Sequence, residues 1–374
     1  MMPIAPIAVT IITGFLGAGK TTLLNRLLKD PALADTIVIV NEFGEIGLDH
    51  LFIETQDDNM ILMAAGCLCC TIRGDLISTL EDLIKKFDTG SLTAFKRVVI
   101  ETTGLADPAP ILQSLLGHPI IVARYTLDGV VTLVDVVNGL STLDHHPEAV
   151  KQAAIADRIV LTKTDLQPDG TVLRARLQAL NPAADVLDAA KGEATANALI
   201  GTDLFDLTKK IPDVAHWLKA EAYGDHSHHH HHGHGHDHHH HDNQNRHDVN
   251  RHDSHIRAFC LTTDDAIPSS AFELFLTLLK SAHGEKLLRM KGIVKIAEYP
   301  DRPLILHGVQ HVFHPPVQLA RWQDDDHQTK MVFITKDLDE SFVSRLWEAF
   351  LDRPGIDTPD RSAMLDNPLS LRRE

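Results

Sequence analysis

The chain has 374 residues, of which 44% are hydrophobic and 23% are charged, and this is the composition of an ordinary soluble globular protein. Its length exceeds that of one typical domain, so two folded domains are expected. The formal net charge of −16 argues against general affinity for nucleic acid or for anionic membranes, and we expect neither as a partner.

The first nineteen residues carry no charged side chain, a property they share with signal peptides and membrane spans. They lack the basic segment with which a signal peptide begins, and they contain Pro3, Pro6, Gly14 and Gly17. We therefore expect a buried first strand in a cytoplasmic protein.

The most specific motif is Gly14–Thr21, which matches the phosphate-binding pattern GxxxxGK[ST] and is called the phosphate loop below. The apolar run Ile7–Ile12 predicts a strand before it, and Thr21–Leu28 predicts the start of a helix after it. In such a loop, backbone N–H groups bind phosphate oxygens, Lys20 neutralises the terminal phosphates and the Thr21 hydroxyl ligates Mg²⁺. The predicted nucleotide contacts are Gly14, Gly17, Ala18, Gly19, Lys20, Thr21 and Thr22.

From Ile7 to about Lys210, apolar strand-like runs alternate with helical patterns. This alternation predicts an α/β fold of the P-loop NTPase type, with a mostly parallel sheet covered by helices on both faces. The predicted strands are Ile7–Ile12, Thr36–Asn41, Met60–Ala64, Val98–Glu101, Val130–Asp135 and Arg158–Thr162. The predicted helices between them include Leu76–Phe87, Pro110–Leu116 and Val172–Leu180. Ligands bind at the carboxyl ends of such strands, where every motif described here falls.

The segment Asn41–Asp49 follows the second strand and combines two glycines with several acidic residues. This pattern suits a switch loop that senses the γ-phosphate, although a solvated polar loop is the alternative.

Three of the four cysteines, Cys67, Cys69 and Cys70, lie within four residues of one another, too close for an unstrained disulfide framework. Thiols in this arrangement are soft ligands for Zn²⁺ or a similar metal, and they indicate a reducing compartment. The spacing does not say which two or three of them bind at once, and Glu42 or Glu45 could complete the ligand shell. The fourth cysteine, Cys260, is predicted to be a packed core residue of a strand.

Val98–Gly104 is an apolar strand that ends in the acidic residue Glu101. A carboxylate at this position can hold a Mg²⁺-bound water or polarise the attacking water. We therefore predict Glu101 and Lys20 as catalytic residues. A strand-end acid that only caps a turn is the alternative.

Thr162, Lys163, Thr164 and Asp165 follow the last predicted strand of the sheet and match the [NT]KxD pattern that reads guanine in GTPases. The Asp165 carboxylate would accept hydrogen bonds from N1–H and the 2-amino group of guanine, and the stem of Lys163 would pack over the base. Adenine offers no such pair of donors, so GTP is favoured over ATP. These four residues are called the base motif below.

Between Glu221 and His255 the composition changes abruptly, because this segment holds 15 of the 25 histidines and almost no apolar residue. Such a segment cannot bury enough surface to fold alone, so we predict a flexible linker. Imidazoles at this density capture Zn²⁺, Co²⁺ or Ni²⁺ weakly and in many geometries, whereas a solubilising linker or an affinity tag is the alternative. Candidate capture ligands are His228, His230, His232, His239 and His241.

After this segment, short strand and helix patterns predict a small α+β domain. The predicted strands are Ile256–Leu261, Ile293–Ala297, Leu304–Val309 and Met331–Ile334, and the predicted helices are Ala271–Leu279 and Glu340–Leu351. The predicted organisation is a GTPase domain at 1–220, a His-rich linker at 221–255, an α+β domain at 256–352 and a polar tail at 353–374.

Taken together, these motifs resemble the CobW-type family of P-loop GTPases, relatives of the urease and hydrogenase nickel-insertion GTPases. The resemblance implies a cytosolic metallochaperone that binds GTP and Mg²⁺, hydrolyses GTP slowly and hands Zn²⁺, or else Co²⁺, to a client metalloprotein. It also implies that Cys67, Cys69 and Cys70 form the site of the transported metal. Thr162 departs from the asparagine of many GTPases, which would lower nucleotide affinity.

Two other functions fit the same motifs. One is a passive metal buffer in which the nucleotide is only structural, and the other is a cobalt-delivery factor for cobalamin biosynthesis. A homodimer is compatible with either. We further expect the strands Met60–Ala64 and Ile7–Ile12 to be adjacent, which would couple metal binding to GTP binding.

Overall fold

A computed structural model describes residues 6–42, 60–64, 70–92, 95–200, 255–322 and 325–351, with only the backbone of 41–42, 60–64 and 70–73. Several predicted ligands lie outside these ranges: Glu45, Cys67, Cys69 and the histidines of the His-rich segment.

The first domain is built on a seven-stranded sheet in which every pairing is parallel. The strand order is β3-β2-β4-β1-β5-β6-β7. The strands are β1 (Ile7–Gly14), β2 (Thr36–Glu42), β3 (Met60–Ala64), β4 (Arg97–Glu101), β5 (Tyr125–Asp135), β6 (Arg158–Thr162) and β7 (Asp185–Asp188). The predicted parallel α/β sheet is therefore confirmed.

Helices cover both faces of this sheet. The evidence is that neighbouring residues of one strand, which point to opposite faces, belong to different apolar clusters. Ile11 packs in one cluster and Ile12 in the other, as do Ile100 and Val99. Such strands are apolar at consecutive positions, which is why they are visible in the sequence. The helices are α1 (Lys20–Leu27), α2 (Cys70–Asp88), α3 (Ala109–Gly117), α4 (Pro119–Arg124), α5 (Gly139–His145), α6 (Pro147–Ala154), α7 (Thr171–Leu180) and α8 (Ala196–Leu199).

The second domain is an antiparallel sheet with two helices packed on one face. Its strands are β8 (Ile256–Thr263), β9 (Leu287–Val294), β10 (Leu304–Val309), β11 (Val312–Phe313), β12 (Val317–Gln318) and β13 (Thr329–Lys336), in the order β11-β10-β9-β13-β8 with β12 paired to β10. The helices α9 (Ser269–His283) and α10 (Glu340–Phe350) meet through Phe275 and Trp347, whose ring centroids are 5.1 Å apart. The predicted α+β domain is confirmed.

Three expectations about individual elements are wrong. The strand predicted at Ile293–Ala297 lies at Leu287–Val294, and its eight residues are all buried, including Arg289 and Lys291. Cys260 is half-buried at the edge of the cluster around Trp322 and does not lie in the core. The strands Met60–Ala64 and Ile7–Ile12 are not adjacent, since β2 and β4 lie between them.

Candidate nucleotide-binding site

The phosphate loop takes a backbone path that only glycine follows without strain. Its three glycines, Gly14, Gly17 and Gly19, have φ angles of 139°, 73° and 89°. A Cβ atom on Gly14 would also lie 2.5 Å from the carbonyl oxygen of Leu133 in β5. The loop leads directly into α1, which begins at Lys20 and has Gly19 as its N-cap residue. The N–H groups of the first helical turn, which have no partner within the helix, therefore lie at the loop, where an anion can bind.

The side chains that follow the loop are those expected around a nucleotide's terminal phosphates. The Lys20 ammonium donates to the carbonyl oxygens of Gly14 at 2.9 Å and Phe15 at 3.3 Å, so it folds back over the loop. The Thr21 hydroxyl donates to Oε1 of Glu101 at 3.0 Å. Glu101 is 4% exposed and ends β4, next to β1 in the sheet. The structure thus brings together the two residues that were predicted at the Mg²⁺ site from positions 80 residues apart in sequence.

The loop between β4 and α3, residues 102–108, lies directly against the phosphate loop. The N–H of Thr102 donates to the carbonyl oxygen of Ile12, and its hydroxyl donates to Oγ1 of Thr13 at 2.8 Å. Gly104 lies so close that an added Cβ atom would be 2.5 Å from the backbone nitrogen of Leu16. Any shift of residues 102–108 therefore changes the space beside the phosphate loop.

The base motif is joined to the phosphate loop by a hydrogen bond from the Thr162 hydroxyl to the carbonyl oxygen of Ala18, at 2.8 Å. Lys163 has a φ of 58°, an unusual value for a residue with a side chain, and its ammonium donates to Oδ2 of Asp135 at 2.6 Å. Asp165 is exposed, so its carboxylate is accessible to a ligand.

Two acidic residues that the sequence did not single out hold the base motif in place. Asp135 ends β5, and burial raises the pKa of its carboxyl, but hydrogen bonds from Lys163, Asn138 and the Val137 N–H outweigh burial and hold that pKa below its usual value. Asp135 is therefore ionised near neutral pH and fixes the ammonium of Lys163.

Asp188, at the end of β7, holds the side chain of Thr164, the residue after Lys163. Its Oδ1 accepts a hydrogen bond from the Thr164 hydroxyl at 2.6 Å and from the N–H groups of Ala190 and Lys191. Burial raises its pKa, and these hydrogen bonds lower it by more, so the pKa lies below its usual value. Strand β7 has only four residues, too few to show a clear strand pattern in the sequence, so the sequence analysis missed Asp188.

The predicted metal ligands are described only in part. Cys70 is the first residue of α2 and Glu42 is the last residue of β2, and the structure describes only the backbone of both. Among the residues that the structure describes, no group of three or more His, Cys, Asp or Glu side chains could hold a metal ion. The site at Cys67, Cys69 and Cys70 therefore stays a prediction.

Comparison with known families gives two matches. Residues 8–188 match the family described as CobW/HypB/UreG, nucleotide-binding domain, and residues 256–351 match the cobalamin synthesis protein cobW C-terminal domain. None of the helices in the described part of the chain is long and apolar enough to cross a membrane.

Curated relatives include the zinc chaperone YjiA of Escherichia coli (strain K12), which is 33% identical over 338 residues, or 90% of this chain and 96% of the relative. The zinc chaperone CobW of Pseudomonas aeruginosa is 34% identical over 54% of this chain and 61% of its own length. Among solved structures, the Zn(II)-bound YjiA GTPase of E. coli superposes with a TM-score of 0.61 at 27% identity, over 93% of this chain and 99% of that one.

Proposed function

The chain belongs to the CobW/HypB/UreG family of nucleotide-binding proteins, and from that premise we propose that it is a GTPase that delivers Zn²⁺, or else Co²⁺, to a client metalloprotein. The observation that carries the proposal is the hydrogen bond between Thr162 and Ala18, which joins the base motif to the phosphate loop. One ligand that reaches both must carry phosphates and a base. We place the protein in the cytoplasm, and two copies assembling as a homodimer are compatible with the proposal.

The choice of guanine rests on Asp165, whose exposed carboxylate can accept two hydrogen bonds from the base edge. The ammonium of Lys163 is held by Asp135, and we propose that the stem of this side chain packs over the base. The nucleotide contacts that we propose are Gly14, Gly17, Ala18, Gly19, Lys20, Thr21, Thr22, Thr162, Lys163 and Asp165.

The residues around the terminal phosphates fit Mg²⁺, because the Thr21 hydroxyl and the Glu101 carboxylate are the hard oxygen ligands that this ion prefers. When bound, Mg²⁺ neutralises negative charge on the β- and γ-phosphates. Lys20 binds and orients the terminal phosphates, and the carboxylate of Glu101 can orient a water for in-line attack. Without an arginine supplied by a partner, GTPases of this type turn over at about 10⁻⁴–10⁻² per second, so we propose slow hydrolysis.

The transported metal is the second substrate. Relatives named zinc chaperone and zinc-regulated GTPase metalloprotein activator support Zn²⁺ as that metal. We assign its binding to Cys67, Cys69 and Cys70, with Glu42 or Glu45 completing the ligand shell, and weaker capture to the His-rich segment. GTP binding would order the Asn41–Asp49 segment beside these cysteines, and hydrolysis would release the metal to the client.

The decisive experiment measures Zn²⁺ affinity in the two nucleotide states by calorimetric titration. Coupling between sites is reciprocal and typically about 1–3 kcal/mol, so Zn²⁺ should bind roughly 5- to 150-fold tighter with a non-hydrolysable GTP analogue than with GDP. Replacing Cys69 and Cys70 with Ser should abolish this difference and leave nucleotide binding intact, whereas Cys260→Ser, the matched control, should change neither. Equal affinity in both states would identify a passive metal buffer instead.

A further inference from the structure

Helix α6 contacts three functional regions of the molecule. Just before its first residue, the ring of His146 packs on Phe15 of the phosphate loop, with centroids 4.4 Å apart. Its middle contacts the β4–α3 loop, and its C-terminal end contacts the second domain. A helix of eight residues is about 12 Å long, so these contacts are mechanically connected.

The contact with the β4–α3 loop is made by Gln152, which is 1% exposed. Its Nε2 donates to the carbonyl oxygens of Gly104 at 3.2 Å and Ala106 at 3.0 Å. The preceding residue, Lys151, donates to Oδ2 of Asp107 at 2.7 Å. Two consecutive residues of α6 thus hold three positions of the loop that follows Glu101.

A glutamine at position 152 would lower the stability of the fold if its side chain only filled space in the core. Its Oε1 is buried and accepts no hydrogen bond from the part of the chain that the structure describes. A buried acceptor without a hydrogen bond destabilises the fold, and a methionine of similar size would avoid that cost. What this side chain adds is the pair of hydrogen bonds that hold the loop at Gly104 and Ala106, and a buried polar group kept at such a cost is expected at functional sites.

The second domain holds the other end of the helix. Arg289 of β9 donates from Nη1 to the carbonyl oxygen of Ile155, the C-cap residue of α6, and from Nη2 to Oδ1 of Asp157 at 2.5 Å. Lys291 donates to the same Oδ1 at 2.8 Å. The side chains of Asp157, Arg289 and Lys291 are 5%, 5% and 9% exposed, so water cannot replace these bonds.

Next to this anchored end, there is free space beside the helix. A cavity of about 180 Å³ separates α6 from the second domain, and it is lined by Val150 and Lys151 on one side and by His255, Ile256 and Lys336 on the other. Beyond this space the helix packs on the second domain, because Ala153 and Ile155 belong to the same apolar cluster as Leu288 and Ile334. A displacement of the second domain therefore displaces the helix.

We propose that Gln152 is a positioning residue for nucleotide hydrolysis, and that α6 transmits a change in the position of the second domain to the β4–α3 loop. This rests on the proposed GTPase function. Gly104 lies against Leu16 and Glu101 against Thr21, so the position of the loop sets the geometry at the terminal phosphates. A client that docks on the second domain would change hydrolysis by moving α6.

The first test uses Gln152→Met, which keeps the size of the side chain and removes both donors. We expect kcat for GTP to fall about 10- to 100-fold, the effect of a small misplacement of reacting groups, while the Kd for GDP changes less than about threefold. Because a buried variant can fail to fold, the half-exposed ion pair gives a second test. Lys151→Met should lower kcat, and Lys151→Arg, which keeps the bond to Asp107, should restore it.

The second test follows the loop itself, by hydrogen exchange of the backbone amides of residues 102–107 in the nucleotide-free protein. Arg289→Met should speed this exchange and should lower kcat non-additively with Gln152→Met. The control is Arg257→Met, because Arg257 forms its ion pair with Asp339 inside the second domain.

The outcomes separate the two proposals. If the wild-type protein does not hydrolyse GTP, the proposed function fails, and the exchange data still decide whether α6 holds the loop. Unchanged loop exchange in both Gln152→Met and Arg289→Met, or additive effects on kcat, would overturn the role of α6.

Discussion

Thr162 donates its hydroxyl to the main-chain carbonyl of Ala18 at 2.8 Å, across 144 residues of sequence. The base motif and the phosphate loop are therefore joined directly, through the threonine that stands where many GTPases have asparagine. Gly19 lies next to the same side chain, since a Cβ atom added there would be 3.8 Å from the Thr162 methyl group.

The first prediction concerns this bond. Thr162→Val keeps the shape of the side chain and leaves the Ala18 carbonyl without its donor, so GTP and GDP should both bind about 5- to 10-fold more weakly, as expected for roughly 1–1.5 kcal/mol. Fluorescent nucleotide titration measures this. The control is Thr79→Val, which removes a hydroxyl that also donates to a carbonyl, that of Asp75 within α2. Unchanged affinity in Thr162→Val would mean that the link does not position the nucleotide.

The second prediction concerns the base. Asp165→Asn replaces an acceptor pair with an amide that can donate to a carbonyl, so preference should shift from GTP toward XTP. Loss of the charge-assisted pair should cost on the order of 1.5–3 kcal/mol for GTP. Asp169→Asn, an exposed change four residues further along the same loop, is the control. Should the Asp165 variant bind GTP as tightly as the wild type, guanine is not read at this position.

The third prediction concerns the close approach at Gly104. Gly104→Ala would place a Cβ atom 2.5 Å from the backbone nitrogen of Leu16, so the phosphate loop or the β4–α3 loop must move. Overpacking of this kind costs about 1–3 kcal/mol, so GDP affinity should fall about 5- to 150-fold if that cost is met in the bound state. The control is Gly74→Ala in α2, where none of the described residues, apart from the backbone of the helix itself, has an atom within 4 Å of the added Cβ. If Gly104→Ala and Gly74→Ala both bound GDP as tightly as the wild type, the two loops would be able to move apart without loss of affinity.

The fourth prediction concerns stability against pH. His307 in β10 is 1% exposed, and burial, together with Arg289, Lys291 and His314, lowers the pKa of its imidazole, although Asp157 opposes this. The unfolded chain then binds a proton near pH 6.5 that the folded chain does not. His307 therefore leaves the free energy of unfolding unchanged above about pH 6.5 and lowers it progressively as the pH falls below that value.

Chemical denaturation at pH 5 to 7 measures the effect of His307. The free energy of unfolding should decrease toward pH 5 in the wild type and decrease less in His307→Gln, which cannot take up the proton. The exposed His311→Gln variant is the control. Parallel curves for wild type and His307→Gln would exclude this histidine as the cause.

The fifth prediction concerns the His-rich segment. Deleting Asp225–Asp253 removes a stretch with almost no apolar side chain, so the unfolding midpoint and GTP affinity should change little. Metal analysis after dialysis should give fewer Zn²⁺ ions per chain, with one tight site left. An unchanged stoichiometry would make the segment a plain linker.

The sequence predicted the parallel sheet and the phosphate loop because each depends on a local pattern, either consecutive apolar residues or glycines at fixed spacing. It could not predict residues whose role depends on a distant partner. Asp135, Asp188 and Gln152 act on groups 24 to 48 residues away in the chain, as the Lys163, Thr164 and Gly104 contacts illustrate. Strand β9 was misplaced because Arg289 and Lys291 look exposed until Asp157 is known to pair with them.

The position of β1 in the sheet has a consequence for synthesis. This strand is translated before both of its neighbours in the sheet, β4 and β5, whose pairing with it begins at Arg97 and Tyr125. At about 5–20 residues per second, roughly 5–20 s pass before the first of these partners leaves the ribosome. Throughout that time the uncharged, β-branched segment that precedes the phosphate loop lacks both of its partner strands, which exposes it to aggregation or to binding by a chaperone.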